Sequence, residues 1–170
     1  LAGQRDPQLQ FTAPRAGTYS VRIHDASFGG LQHYVYRLTI TDAPVVARIF
    51  PLGGKRGETV AFELTGQNLP AKTVGLKLPL NPGRSAWVPL PFPTAPAVLL
   101  ELDDLPEQQF PAAGRADFTT PAVLNGRLLT PGSTNTWHFS AKKGDALELT
   151  LAAARLDSPL TPVLAITDAE

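Results

Sequence analysis

One short phrase occurs three times in this chain: a basic or small turn, a glycine, then a segment in which apolar and polar residues alternate. The copies are Arg15-Ala16-Gly17-Thr18-Tyr19-Ser20-Val21-Arg22-Ile23, Lys55-Arg56-Gly57-Glu58-Thr59-Val60-Ala61-Phe62-Glu63-Leu64 and Lys142-Lys143-Gly144-Asp145-Ala146-Leu147-Glu148-Leu149-Thr150-Leu151. Successive side chains of a strand point to opposite faces, so strict alternation describes a strand wet on one side and buried on the other, the pattern of antiparallel sheets. A glycine just ahead of each segment marks a tight turn. The chain reads as all-β, built of antiparallel β-sandwich modules in series, with no more than a turn or two of helix.

Hydrophobic residues make up 43% of the chain and charged residues 18%, enough apolar material for a core and too little charge for a disordered polymer. The 17 prolines and 14 glycines fall between alternating segments, which they punctuate. Net charge is zero, with acids and bases interspersed. No basic stripe suited to nucleic acid is present, and no apolar run is long enough for a membrane-spanning helix. The chain has no cysteine, which excludes a disulfide scaffold, a thiolate nucleophile and cysteine-held zinc. It starts at Leu1 without a signal peptide, which reads as an excised piece of something longer.

Three segments follow from the punctuation. In residues 1–42, Tyr19, Val21 and Ile23 point one way in one strand, and Tyr34, Tyr36, Leu38 and Ile40 line a face of another. In residues 43–111, Pro44 and Pro51 bracket a short strand, which places it at a sheet edge. Gly53-Gly54 turns the chain, and short strands over 74–78 and 98–102 fit between the prolines at 79, 82, 89, 91, 93 and 96; a helix does not. In residues 118–170, a kinked strand over 124–128, a Pro131-Gly132-Ser133 turn and a strand carrying Trp137 as a core residue lead into the third copy of the phrase. Residues 152–156 have helical propensity but are too few to stand alone, and 163–167 alternate again.

The outer segments carry a family resemblance. Val123-Leu124-Asn125-Gly126-Arg127, Pro131-Gly132, the run from Asn135 to Asp145, and Leu156-Asp157-Ser158-Pro159-Leu160-Thr161-Pro162-Val163-Leu164 resemble the first half of the bacterial pre-peptidase C-terminal domain family. Residues 6–14, Gly17-Thr18-Tyr19-Ser20-Val21-Arg22-Ile23-His24-Asp25 and Tyr34-Val35-Tyr36-Arg37-Leu38-Thr39-Ile40 resemble its second half. Phe50-Pro51-Leu52-Gly53-Gly54, Gly57-Glu58-Thr59-Val60 and Leu64-Thr65-Gly66-Gln67-Asn68-Leu69 are similar to the start of an immunoglobulin-like module of the IPT/TIG type. The resemblance implies jelly-roll-like half-modules flanking an immunoglobulin-like sandwich, in a secreted, periplasmic or cell-surface multidomain protein of planctomycete-type bacteria. It also implies that residues 1–42 and 118–170 lie against one another as one permuted sandwich, within a chain or exchanged between two. Some members carry calcium beside acids flanking the first strand. Here Ser133-Thr134-Asn135-Thr136-Trp137 offers no acid there, which departs from a hard cation's preference for charged oxygen ligands.

Candidate chemistry is sparse. His24-Asp25 pairs a base with a carboxylate at a strand end, yet no nucleophile motif accompanies it, so a polar turn cap is the reading. His33 with Tyr34 and Tyr36 suggests an aromatic patch, but the tyrosines share a face with Leu38 and Ile40, which reads as core. Glu101, Asp103 and Asp104 lack the glycine-spaced acids of a calcium loop and read as a solvated linker. Asp6, Asp157 and Asp168 are the remaining calcium candidates, and no other cofactor is expected. Trp87, in a Pro- and Ser-rich loop beside Arg84, is the candidate ligand platform. The functional expectation is a non-catalytic module serving adhesion, spacing or targeting, through protein or polysaccharide binding and contact with neighbouring domains of a larger chain. The alternatives are an accessory domain of a secreted hydrolase and a carbohydrate-binding module.

Overall fold

Alternation in the second copy of the phrase becomes the centre of a two-sheet sandwich. The computed structural model describes residues 7, 9–80, 83–111 and 116–168. The chain divides into two units, Leu1–Ile40 and Thr41–Glu170. All strands among the described residues belong to the second unit.

β1 (Val45–Phe50), β3 (Thr59–Gln67) and β4 (Thr73–Lys77) form an antiparallel sheet in the order β1-β3-β4. β2 (Gly53–Lys55), β6 (Val98–Asp103) and β5 (Ser85–Val88) form the second sheet in the order β2-β6-β5, with β2 parallel and β5 antiparallel to β6. The chain passes from one sheet to the other at Pro51-Leu52: β1 pairs with β3, and immediately afterwards β2 pairs with β6. The Phe50-Pro51 peptide is cis, and Pro51 is fully buried. As the bracketing prolines imply, β1 is an edge strand. A bulge between Val46 and Arg48 bends it.

Period two decides the packing. Phe62 and Leu64 of β3, Val74 and Leu76 of β4, Val88 of β5, and Leu100 and Leu102 of β6 face inward and are buried. Leu78, Leu90 and Phe92, just beyond β4 and β5, close the same core. The intervening residues Ala61, Glu63, Gly75, Ser85 and Trp87 are exposed. The glycine turns form where the phrase places them in two of its three copies. Glu58 N–H donates to the Lys55 carbonyl at 3.2 Å across Gly57, and Asp145 N–H to the Lys142 carbonyl at 3.0 Å across Gly144. Both glycines have positive φ, 73° and 96°, the conformation required at the third position of such a turn. Thr130-Pro131-Gly132-Ser133 makes another, with a 3.1 Å Ser133-to-Thr130 bond.

Smaller elements pack on this sandwich within the second unit. β7 (Glu107–Gln109) runs parallel to β9 (Val123–Asn125), and β8 (Ala116–Asp117) parallel to β10 (Trp137–His138). Trp137 is half-buried, edge-on to Phe110 at 5.1 Å and Phe118 at 6.2 Å, while Phe118 also meets Phe139 at 5.3 Å. Arg127, beyond β9, lies 3.7 Å from the Phe50 ring centre and pairs with Glu63 at 2.7 Å. A single 3-10 turn, Ala154–Leu156, lies against β6 and buries Leu156, which agrees with the limited helical propensity read there.

Several expected strands do not form. The described residues of 7–40 contain turns and no strand. Tyr34 and Tyr36, assigned to a core face, are 52% and 72% exposed. Tyr19, Val21, Ile23, Leu38 and Ile40 are exposed as well, and so are Leu147, Leu149 and Leu151 in the third copy. The alternation at 163–167 also builds no strand. Alternation specifies which face a strand would bury; the ladder itself needs a second backbone to take its N–H and C=O groups. Among the described residues only the second copy of the phrase has one, β4 along residues 59–63 and β1 at residues 63–64.

Candidate functional site

Trp87 is the side chain that the sandwich holds outward most conspicuously. It lies on β5, in register with Leu99 of β6, and not in the loop that its Pro- and Ser-rich surroundings suggested. Its neighbours Ala86 and Val88 point to the core, so alternation places the indole on the outer face, where it is 68% exposed. Proline punctuation hid this strand, because β5 has only four residues before Pro89. The readable signal was Ala86 and Val88 flanking Trp87.

β5 ends one sheet and β4 ends the other. Between these edges lies a cleft of about 550 Å³, lined by Lys77, Leu78, Pro79, Leu80, Trp87, Val88, Pro89 and Gly57. Its walls are largely apolar, and Leu80 stands 81% exposed at the rim. Among the described residues Lys77 is the charged group lining it, and this ammonium has no ion-pair partner among them.

Arg84 is less available than Trp87. It lies 3.8 Å from Glu101, which Arg155 of the 3-10 turn also engages. The acidic cluster is likewise used internally and is not a solvated linker. Asp103 accepts hydrogen bonds from the N–H groups of Asp104 and Leu105, at 2.7 and 2.9 Å. Asp104 pairs with Arg56 at 2.8 Å, and Arg56 also donates to the Gly83 carbonyl at 2.9 Å. These contacts tie the Gly57 turn to the ends of β5 and β6.

The histidine candidates do not assemble a reactive pair. His24 Nδ1 lies 2.9 Å from the backbone carbonyl of Asp25, while the Asp25 carboxylate accepts the N–H groups of Ser27 and Gly29. The His24 ring stacks on Phe28 at 4.8 Å. His33 touches Tyr34 at 5.2 Å. Of the calcium candidates, Asp6 lies outside the described residues, Asp157 ends the 3-10 turn with φ 64°, and Asp168 lies in the C-terminal segment. Among the described residues, no three His, Cys, Asp or Glu side chains gather into a metal-holding group. No described helix is long and apolar enough to cross a membrane.

A second cleft, about 340 Å³, is lined by Pro51, Lys55, Glu58, Val60, Pro106, Glu107 and Gln109. Burial pushes the Glu107 carboxyl above its ordinary value of 4.5, against the lowering effect of the Asn125 amide that donates to it at 3.0 Å. The charges of Asp103 and Glu58 push it up further. A raised folded-state value means that the folded chain holds this proton more tightly than the unfolded one. Its stabilising contribution is therefore present at acid pH and lost as pH rises through the folded value. Glu107→Gln removes the ionised form while keeping an acceptor for Asn125. At pH 7 the variant is expected to melt at or above the wild-type temperature, with the difference closing towards pH 4. A wild-type advantage at pH 7 that narrows in acid would overturn the assignment.

Compared with known protein families, curated proteins and solved structures, the chain matches none of them. The class the structure itself defines is an all-β, predominantly antiparallel two-sheet sandwich.

Proposed function

We propose that this chain is a non-catalytic binding and spacing module of a secreted, periplasmic or cell-surface bacterial protein, and that it engages its partner through the Trp87 face. The observation that carries this reading is the indole held outward on β5 at the mouth of an apolar cleft. A large aromatic that contributes nothing to the core loses apolar hydration only when a partner covers it, and tryptophan is enriched among residues that dominate interfaces. The immunoglobulin-like reading of residues 43–111 draws support from the passage of the first strand between sheets at Pro51. The pre-peptidase C-terminal reading of the outer segments rests on their resemblance. Their exposed alternating faces, such as Tyr19-Val21-Ile23 and Leu147-Leu149-Leu151, support a place among neighbouring domains.

Trp87→Ala tests the reading. Binding to peptide and glycan arrays is expected to fall roughly 30-fold, the effect of losing a contact of about 2 kcal/mol. The unfolding midpoint is expected to stay in place, because the side chain is exposed. Undiminished binding by the variant would refute the assignment, and so would catalytic turnover by the wild-type chain.

A further inference from the structure

The cleft beside Trp87 is bordered by an open strand edge, and that edge defines the ligand further. In the β5–β6 ladder, Leu102 N–H donates to the Arg84 carbonyl at 2.7 Å, and the register continues through Ala86↔Leu100 and Val88↔Val98. Alternate residues of an antiparallel pair exchange hydrogen bonds, and those between them turn their N–H and C=O groups away. Ser85 and Trp87 are the residues between. Their backbone groups point out of the sheet edge, and no hydrogen bond among the described residues occupies them. Two donors and two acceptors are thus spaced as an incoming strand requires, directly beside the Trp87 indole and the cleft.

The geometry points to strand addition: an extended segment of another protein pairs with β5, seats one large apolar side chain in the cleft and places an acidic side chain at Lys77. This deepens the reading of the Trp87 face as a binding surface and rests on it. Main-chain bonds supply affinity in this mode, and pockets for alternate side chains supply selectivity. Charge complementarity argues for the acid, since the Lys77 ammonium lines the cleft without a carboxylate partner among the described residues. The lining argues against sugar. Besides Lys77, the described lining residues carry no charged or amide side chain to bond a ring of hydroxyls. The edge is also short, four residues ending at Pro89, which limits uncontrolled pairing and leaves room for one brief segment.

The test uses ten-residue peptides of alternating threonine and valine, carrying one leucine or phenylalanine and a glutamate two residues further on. Three probes stand beside them: the same peptides N-methylated on alternate nitrogens, in both frames; a proline-rich peptide; and neutral hexasaccharides. Wild-type chain is expected to bind the unmethylated peptides and to lose at least tenfold with one methylated frame. Ser85→Pro removes one outward N–H, which an edge strand tolerates, and is expected to weaken peptide binding at least tenfold at unchanged melting temperature. Lys77→Glu is expected to transfer preference to peptides with lysine in place of glutamate. Should Ser85→Pro disturb folding, the methylated frames decide the matter on the unaltered protein. Equal binding of both methylated frames, or binding of the proline-rich peptide or a hexasaccharide alone, overturns strand addition while leaving the Trp87 face as a binding surface. Failure of every probe to bind wild-type chain overturns both.

Discussion

Phe62→Ala is expected to cost about 3–5 kcal/mol of stability, the usual penalty for emptying an aromatic site in a core. Phe62 is completely buried near the middle of β3, opposite Val74 of β4, and belongs to the same cluster as Leu100 and Leu102 of the facing sheet. Both sheets lose contacts at once, and neither can close on the void without sliding the other strands out of register. A domain of this kind has roughly 5–15 kcal/mol in total, so the substitution removes a large share. Leu129→Ala provides the comparison: that side chain is 78% exposed, and its loss is expected to stay within about 0.5 kcal/mol. Urea unfolding followed by tryptophan fluorescence measures both. Equal midpoints for the two variants would show that the sandwich core does not lie where the buried cluster places it.

Gly53→Ala is expected to destabilise by about 2–4 kcal/mol, combining overpacking with a hydrogen bond lost from the ladder. β2 runs parallel to β6 with Gly53 in register with Glu101, and a Cβ at this position would overlap the Glu101 carbonyl oxygen. That obstacle is backbone, which no rotamer change removes. The strands must separate, which endangers the 3.0 Å bond from Glu101 N–H to the Leu52 carbonyl. Gly75→Ala makes the contrast. Its Cβ would meet only Thr59 Cγ2 at an ordinary 3.6 Å, so a gain of about 0.5 kcal/mol is expected from restricting the unfolded chain. Similar losses at both glycines would contradict the close approach of β2 to β6.

Much of the sandwich was legible along the chain. Val60, Phe62 and Leu64 alternate with Ala61 and Glu63, and they form the inward face of β3. The segments read at 74–78 and 98–102 are β4 and β6, displaced by a residue at most. Gly57, Gly132 and Gly144 mark turns that form. β2 was not legible as a strand: three residues with two glycines carry no side-chain pattern, and they join the sheet only because β6 offers its backbone. Trp87 was legible as an exposed aromatic, but its position on an edge strand was not, because the prolines around it read as loop. Glu101 and Asp104 looked free because their partners, Arg155 and Arg56, lie about fifty positions away, while Asp103 turns inward on the N–H groups of its own neighbours.

The sequence by itself determined the all-β class, the turns at Gly57, Gly132 and Gly144 and the face that each residue of β3 presents, since all of these follow from steric rules acting over a few residues. The tertiary structure decided which alternating segment is a strand. Three copies of one phrase carry equivalent local information, yet among the described residues only the second meets partner backbones, β4 along residues 59–63 and β1 at residues 63–64. A β-ladder is made by two segments, and nothing within one of them encodes where the other will be.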